Sequence, residues 1–355
     1  MRALLIGLGK HGVEGAQLEP FSMYRRSLRR ELGLSFRRTD VASLAEIEPA
    51  FDRCPSDIAF VMTSWRESVE ETIALFRRLH ARSSRPRIVY LDSTDPTSTP
   101  FFGILPWVDL YVKKQLLRNL GDYQREFRGG HIFADHMATR HGFDLNGWHF
   151  GSKIPDGHAS RVKTGWNLGV TKRLRHLLRH HGSRPVRRKI HDVFCRLSLG
   201  LEETKDWYQQ HRADAVESLA PLSGDYQVLA TGFLSGGRGF VDQRQYYREM
   251  RRSRIVFSPF GWGEVCWRDY EAVCFDCLLV KPSMDHLTTE PDIFRPEETY
   301  VPVRWDLSDV AEKCRYYLDH PDESRRIIAA ARRAYEDYFE RRRFVDSVRE
   351  ILDGL

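Results

Sequence analysis

Short apolar runs alternate with helix-forming segments along most of this chain, and that alternation constrains its fold more than any other feature. Residues 2–6, 34–40, 57–62, 87–91 and 108–112 read as strands. Residues 24–32, 41–51 and 68–82 read as the helices between them. Strands alternating with helices imply a doubly wound α/β domain, with ligands gathering at the carboxyl ends of the strands. Residues 121–190 are less regular. The basic tract 172–189, with Gly182 and Pro185, reads as a join between two domains. A second alternation then begins. Its strands are 191–198, 227–231, 254–258, 277–280 and 299–303. Its helices are 204–219, 242–251, 268–274, 308–319 and 322–339, and 343–352 closes the chain. A length of 355 residues also suggests two domains.

Composition narrows the class. No window approaches the ~18 apolar residues of a membrane span. The first residues read as a strand and not as a signal peptide, because their apolar run is too short. The six cysteines are scattered. Without a secretory signal they are expected to be reduced thiols in a cytoplasmic protein. Cys274 and Cys277 lack a second pair at zinc spacing and are expected to be buried, so no metal site is anticipated. The net charge is +6, mostly from arginine. Such a charge suits nucleic acid, anionic lipid or phosphorylated small molecules. The basic runs are dispersed among acids such as Glu249, Asp346 and Glu350, which argues for solvated faces and against a nucleic-acid track.

Two glycine motifs carry chemistry. Gly7-Leu8-Gly9-Lys10-His11-Gly12 follows the first strand with dinucleotide-binding spacing. Gly15 and Pro20 interrupt residues 13–21, so no clean helix is expected there, and the motif reads as a tight turn at the sheet edge. A nucleotide-cofactor oxidoreductase or epimerase is the alternative it keeps open. The stretch 254–286 reads as strand, glycine loop, helix, strand. It aims a loop and a first helical turn at one spot above the sheet, where backbone N–H groups favour anions. Arg268 and Glu271 lie one turn apart on one helix face. A guanidinium matches phosphate oxygens, and a carboxylate can accept two ribose hydroxyls, so the pair suits a nucleoside diphosphate. The structural alternative is a surface ion pair between the two.

The segment YYREMRRSRIVFSPFGWGEVCWRDYEAVCFDCLLV, residues 246–280, resembles the exostosin-like, CgeB-like and group 1 glycosyltransferases. These carry a tyrosine-bearing helix, a strand ending Ser-Pro-x-Gly, a loop, and Arg-x-x-Glu-Ala before an apolar strand. The likeness spans residues 192–303, and the first half matches only in architecture. It implies a GT-B fold: two Rossmann-like α/β domains facing an interdomain cleft. Residues 1–180 would form the acceptor side and 190–335 the nucleotide-sugar side, with 336–355 as a helix crossing back to the first domain. It implies glycosyl transfer from a UDP- or GDP-sugar, used as substrate, to a glycan or lipid-linked acceptor, in surface polysaccharide or glycoconjugate synthesis. No tightly bound cofactor is implied. Peripheral association with the inner membrane face is compatible with the basic surface. The non-enzymatic alternative is a nucleotide-sugar or nucleic-acid binding protein without turnover.

Carried over residue by residue, the resemblance implies that Glu271 binds the donor ribose and Arg268 approaches the diphosphate. Gly261 and Gly263 would let backbone pass close to the donor, and Glu264 would touch the donor sugar. Three departures stand out. Asp276 replaces a usual glycine, Leu279 replaces a common proline, and the Glu264/Glu271 spacing is one residue short. For leaving-group charge the further candidates are Arg196, at the end of the second domain's first strand, and Arg238, in the loop SGGRG. For an acceptor-side base they are Asp92 and Asp95, directly after a strand, His136 beside Asp135, and His11. Trp262, Trp267 and Tyr270 are candidates for stacking on a base or sugar, with core packing as the competing role.

Overall fold

The computed structural model describes residues 1–8, 12–182, 188–199, 207–233 and 240–355. The first half builds one parallel sheet. Its strands are β1 (Arg2–Leu8), β2 (Ser35–Val41), β3 (Ile58–Met62), β4 (Arg87–Asp92) and β5 (Leu110–Lys113). A short β6 (Gln115–Leu117) leaves the sheet, and β7 (Val162–Thr164) closes it in the order β2-β1-β3-β4-β5-β7. The second half builds another from β8 (His191–Ser198), β9 (Val228–Phe233), β10 (Ser253–Phe257) and β11 (Leu278–Pro282), then β12 (Leu287–Thr289) and β13 (Val301–Val303). Its order is β13-β11-β10-β8-β9, with β12 outside it. Every pairing within the two sheets is parallel.

The strand order reverses beside β8, which has β10 on one side and β9 on the other. A crevice opens at such a reversal, because successive connections leave to opposite faces of the sheet. The crevice lies outside Ser198, the last residue of β8, and Ser258, the first residue after β10. Both sheets are packed from helices on their faces, and every residue of β3 and β11 is buried.

The domains are joined by more than the chain. β6 pairs antiparallel with β12, setting Leu117 opposite Leu287 and Gln115 opposite Thr289. The final helix, Arg343–Asp353, lays Phe344 against Phe21, Tyr24 and Trp166 of the first domain.

Two expectations need correction. A helix, Val13–Met23, does open directly after Gly12 and runs through Pro20. Burial of Leu18 and Phe21 outweighs the weak helix propensity of Gly15 and Pro20. The tract 172–189 is not simply a connector. Lys172–Gly182 is a helix, buried through Leu174 and Leu178 at i,i+4 spacing.

Candidate active site

On the second-domain side, the site grows from the junction of β10 with the helix Trp267–Cys274. Asp269 reaches back to the Cys266 N–H at 2.9 Å and fixes the helix start. Its other oxygen accepts from the Ser258 hydroxyl at 2.6 Å and lies 3.2 Å from the Lys281 ammonium, both side chains of that ion pair being fully buried. Asp269 is therefore paired with Lys281 and not with its neighbour Arg268. Arg268 donates to the Ser258 hydroxyl at 3.3 Å and pairs with no carboxylate among the described residues. Arg212, from the helix Trp207–Glu217, joins it. It donates to the Ser198 carbonyl at 2.6 Å and likewise pairs with no described carboxylate. Burial, with the charge of Arg268 beside it, lowers the Arg212 guanidinium to about 10. A Cβ on Gly261 would stand 2.1 Å from Arg212 Nη2, so only glycine lets the loop lie on the guanidinium.

Glu271 does not pair with Arg268. Its Oε1 accepts from Arg173 at 2.6 Å and from the Tyr247 hydroxyl at 2.9 Å. Arg173 belongs to the unexpected helix Lys172–Gly182 and also stacks 5.4 Å above Trp267. Burial raises the Glu271 carboxyl, and the charge of Arg173 opposes that rise. Arg173, Gln243, Tyr246, Trp267, Arg268 and Glu271 line a pocket of about 400 Å³. Arg268, without a carboxylate partner among the described residues, together with a helix N-terminus and the partnered carboxylate of Glu271, makes this pocket attractive to an anion carrying hydroxyl groups, and Arg212 stands beside it.

The facing wall comes from the first domain. Asp92 ends β4 without any exposure; it accepts from Tyr111 at 2.7 Å and lies 3.4 Å from the buried Lys113 ammonium. It is an internal counter-ion and cannot reach an acceptor, contrary to expectation. Asp95 is 27% exposed and held by Lys114 at 2.6 Å. The Gly263 loop lies directly on it: a Cβ on Gly263 would meet the Asp95 carbonyl carbon at 2.6 Å. Glu264 is buried between the domains. It accepts from the Thr97 N–H at 3.0 Å and the Thr97 hydroxyl at 2.7 Å. Burial would raise its carboxyl, but His286, His131 and Thr97 together hold it down at about 2. Both oxygens are thus committed to the other domain, which departs from the expected contact with a donor sugar. His131 Nδ1 caps a helix by accepting from the N–H groups of Phe133 and Ala134, each at 3.1 Å. Its Nε2 faces Glu264 Oε1 at 3.9 Å, and burial lowers the imidazole to about 4, so it is neutral.

Residues 210–352 match the family described as glycosyl transferase-like. Among solved structures, the fold is similar to HepE from Anabaena in complex with UDP-glucose, at 12% identity and a TM-score of 0.51, over 100% of both chains. It is similar to a glycosyltransferase from Rickettsia africae at 12% identity and a TM-score of 0.51, covering 99% of this chain and 97% of that one. The unliganded OtsA structure matches at 10% identity and a TM-score of 0.52, with 94% and 95% covered. The fold is therefore of GT-B architecture, and its second half carries the glycosyl transferase-like match. No curated protein matches it in sequence.

Within this fold the structure brings Arg268, Glu271, Gly261, Gly263, Glu264 and Asp95 around one cleft. It does not bring Arg196 there as a free cation. That side chain is locked in a two-pronged pair with Glu249, at 2.5 and 3.2 Å, and its charge is spent. His136 stacks on Phe133 and meets Trp305 edge-on, and burial lowers its basicity. Asp135 turns away to accept from the Arg128 N–H at 3.1 Å, so the acid and the imidazole do not work as a pair. Tyr270 is core, donating to the Pro291 carbonyl at 2.7 Å. Arg238 and His11 lie outside the described residues. Sequence reasoning missed Arg212, Arg173, Thr97 and His131. For Arg173 a signal existed, the i,i+4 leucines of its helix, and His131 ends the conspicuous run Gly129-Gly130-His131; Arg212 and Thr97 are single residues in unremarkable contexts.

Proposed function

We propose that the chain transfers a sugar from a uridine diphosphate-linked donor, held by the second domain, to a hydroxyl acceptor presented by the first. The observation that carries this reading is the pair Arg268 and Arg212. Both stand at the strand-order reversal without a carboxylate partner among the described residues. Buried cations are normally paired, because an isolated charge out of water is costly. An unpaired pair of guanidinium groups beside a glycine loop is best explained by a diphosphate that completes it. Glu271 supplies the ribose contact through Oε2, while Oε1 is held by Arg173 and Tyr247. HepE, of the same fold, was crystallised with UDP-glucose, which supports uridine over guanosine.

In this reading Arg268 and Arg212 stabilise the charge that grows on the departing diphosphate. Asp95, partly exposed in the cleft and oriented by Lys114, is the acceptor-side base. The product is a polysaccharide or glycoconjugate, and the acceptor a glycan or a lipid-linked sugar. Among the described residues no helix is long and apolar enough to cross a membrane.

A thermal-shift screen of UDP, GDP, UDP-sugars and GDP-sugars tests the reading. UDP and at least one UDP-sugar are expected to raise the melting temperature, since a ligand that binds only the folded state stabilises it by mass action. A shift with GDP-sugars alone would move the donor to guanosine. No shift with any nucleotide diphosphate would remove the reading.

A further inference from the structure

The first domain contains a second, smaller pocket, of about 90 Å³, between residues 123–130 and the loop 148–153. Nothing in the donor reading uses it. Ser98 lines it, is only 7% exposed, and makes no hydrogen bond through its hydroxyl among the described residues. Tyr123 and Phe127 add ring surface and His149 a polar edge, and Arg125, Glu126 and Lys153 bring charge to the lining. The two segments can approach only because glycines meet: a Cβ on Gly151 would stand 2.1 Å from the Gly130 carbonyl oxygen.

The pocket adjoins the chemistry on two sides. Ser98 follows Thr97, and Gly130 precedes His131; Thr97 and His131 face Glu264 from the first domain, as does Gln115. The loop 148–153 also has a second face. Trp148 and Phe150 turn away from the pocket and pack on Trp262, at 5.4 and 5.1 Å between ring centroids. Trp262 sits between Gly261 and Gly263, in the donor-side loop. One wall of the pocket is therefore tied to the loop that lies on Arg212 and Asp95.

The lining also sets the class of ligand. The cations at the rim come with acids: Lys153 pairs with Glu126, and Arg125 lies 3.6 Å from Asp122. Unlike the donor pocket, this one offers no uncompensated charge. Ring faces with an unpartnered hydroxyl and an imidazole edge suit a ligand with an apolar face and a polar rim. We propose that this pocket is the acceptor subsite and takes an uncharged sugar residue of a glycan. The inference rests on the glycosyl-transfer reading for its role, but its ligand chemistry is testable without a donor.

Saturation-transfer NMR on the full chain, without nucleotide, provides the test. The probes are methyl glucoside, methyl galactoside and methyl mannoside, with glucuronate and glucose 6-phosphate as charged counterparts. At least one neutral glycoside is expected to bind more tightly than either anion. Ser98→Val and Phe127→Ala are each expected to weaken it about tenfold, the effect of one unmade hydrogen bond or one lost ring face. UDP affinity, measured by titration on the same variants, should be unchanged, which also shows that they are folded. Absence of glycoside binding, preference for the charged sugars, or binding indifferent to both variants would overturn the inference. Glycoside binding at this pocket in a chain that ignores UDP would leave the subsite standing and remove the donor reading instead.

Discussion

Asp276 adopts a φ of 52°, the left-handed region that most side chains avoid, just beyond the helix Trp267–Cys274. Relatives by resemblance have glycine here, and the structure explains how an aspartate substitutes. A short polar side chain tolerates this conformation, and Arg332 holds Asp276 Oδ1 at 3.0 Å. Asp276→Val is expected to cost about 1–2 kcal/mol from backbone strain alone. Asp276→Gly should change little, because relief of strain offsets loss of the ion pair. Urea denaturation of both variants checks this. His211 makes a second residue-level case. It is fully buried against Phe133, and burial pushes its imidazole down to about 3. The unfolded chain takes up that proton near pH 6.5 and the folded chain does not. Stability is therefore unaffected above that pH and falls as pH drops from 6.5 toward 3, by up to about 1.4 kcal/mol per unit. His211→Phe should flatten the fall, seen by comparing denaturation midpoints at pH 7 and pH 4.5. Neither effect was legible in the sequence, where Asp276 was only an anomaly and His211 had no pattern to mark it.

The helices sort by how much their sequence context reveals. Trp267–Cys274 was legible because strand, glycine loop and Arg-x-x-Glu come in an order that physical chemistry can interpret. The structural alternative, an ion pair between Arg268 and Glu271, is not the one formed. Lys281 reaches Asp269, and Arg173 reaches Glu271, from segments remote in sequence. Lys172–Gly182 was obscured by its own charge: four arginines and lysines and three histidines hide a leucine stripe that packs it on the second domain. Its contribution to the site is one side chain. Arg173→Leu should leave Glu271 buried with Tyr247 as its remaining hydrogen-bond donor. A cost of about 1–3 kcal/mol is expected, reduced from the full buried-pair value because Arg173 is 35% exposed. The same variant should weaken UDP binding, because the ribose contact loses its orientation. Denaturant titration and calorimetry on one preparation would register both effects.

At the scale of the molecule, the two α/β halves were legible from alternation alone, since each half must bury apolar strands beneath its helices. The joint between them was not. The β6–β12 ladder, the Thr97–Glu264 contact and Phe344 in the first domain connect residues far apart in sequence, and only the assembled fold shows them. Thr97→Val removes the hydroxyl donor from a buried carboxylate that spans the domains. It should cost about 1–3 kcal/mol, while Thr97→Ser keeps the bond and the stability. Melting curves of the two variants make the comparison. These links hold the donor loop against Asp95, so the cleft depends on the joint as much as on either domain. In the proposed function, Arg268 and Arg212, which pair with no carboxylate among the described residues, hold a nucleoside diphosphate. Calorimetric titration of UDP into the parent chain and into Arg268→Ala at neutral pH addresses it most directly. UDP is expected to bind the parent, and the variant to lose about ten- to hundredfold in affinity, the effect of a charged hydrogen bond. Equal binding by parent and variant, or none by the parent, would contradict it.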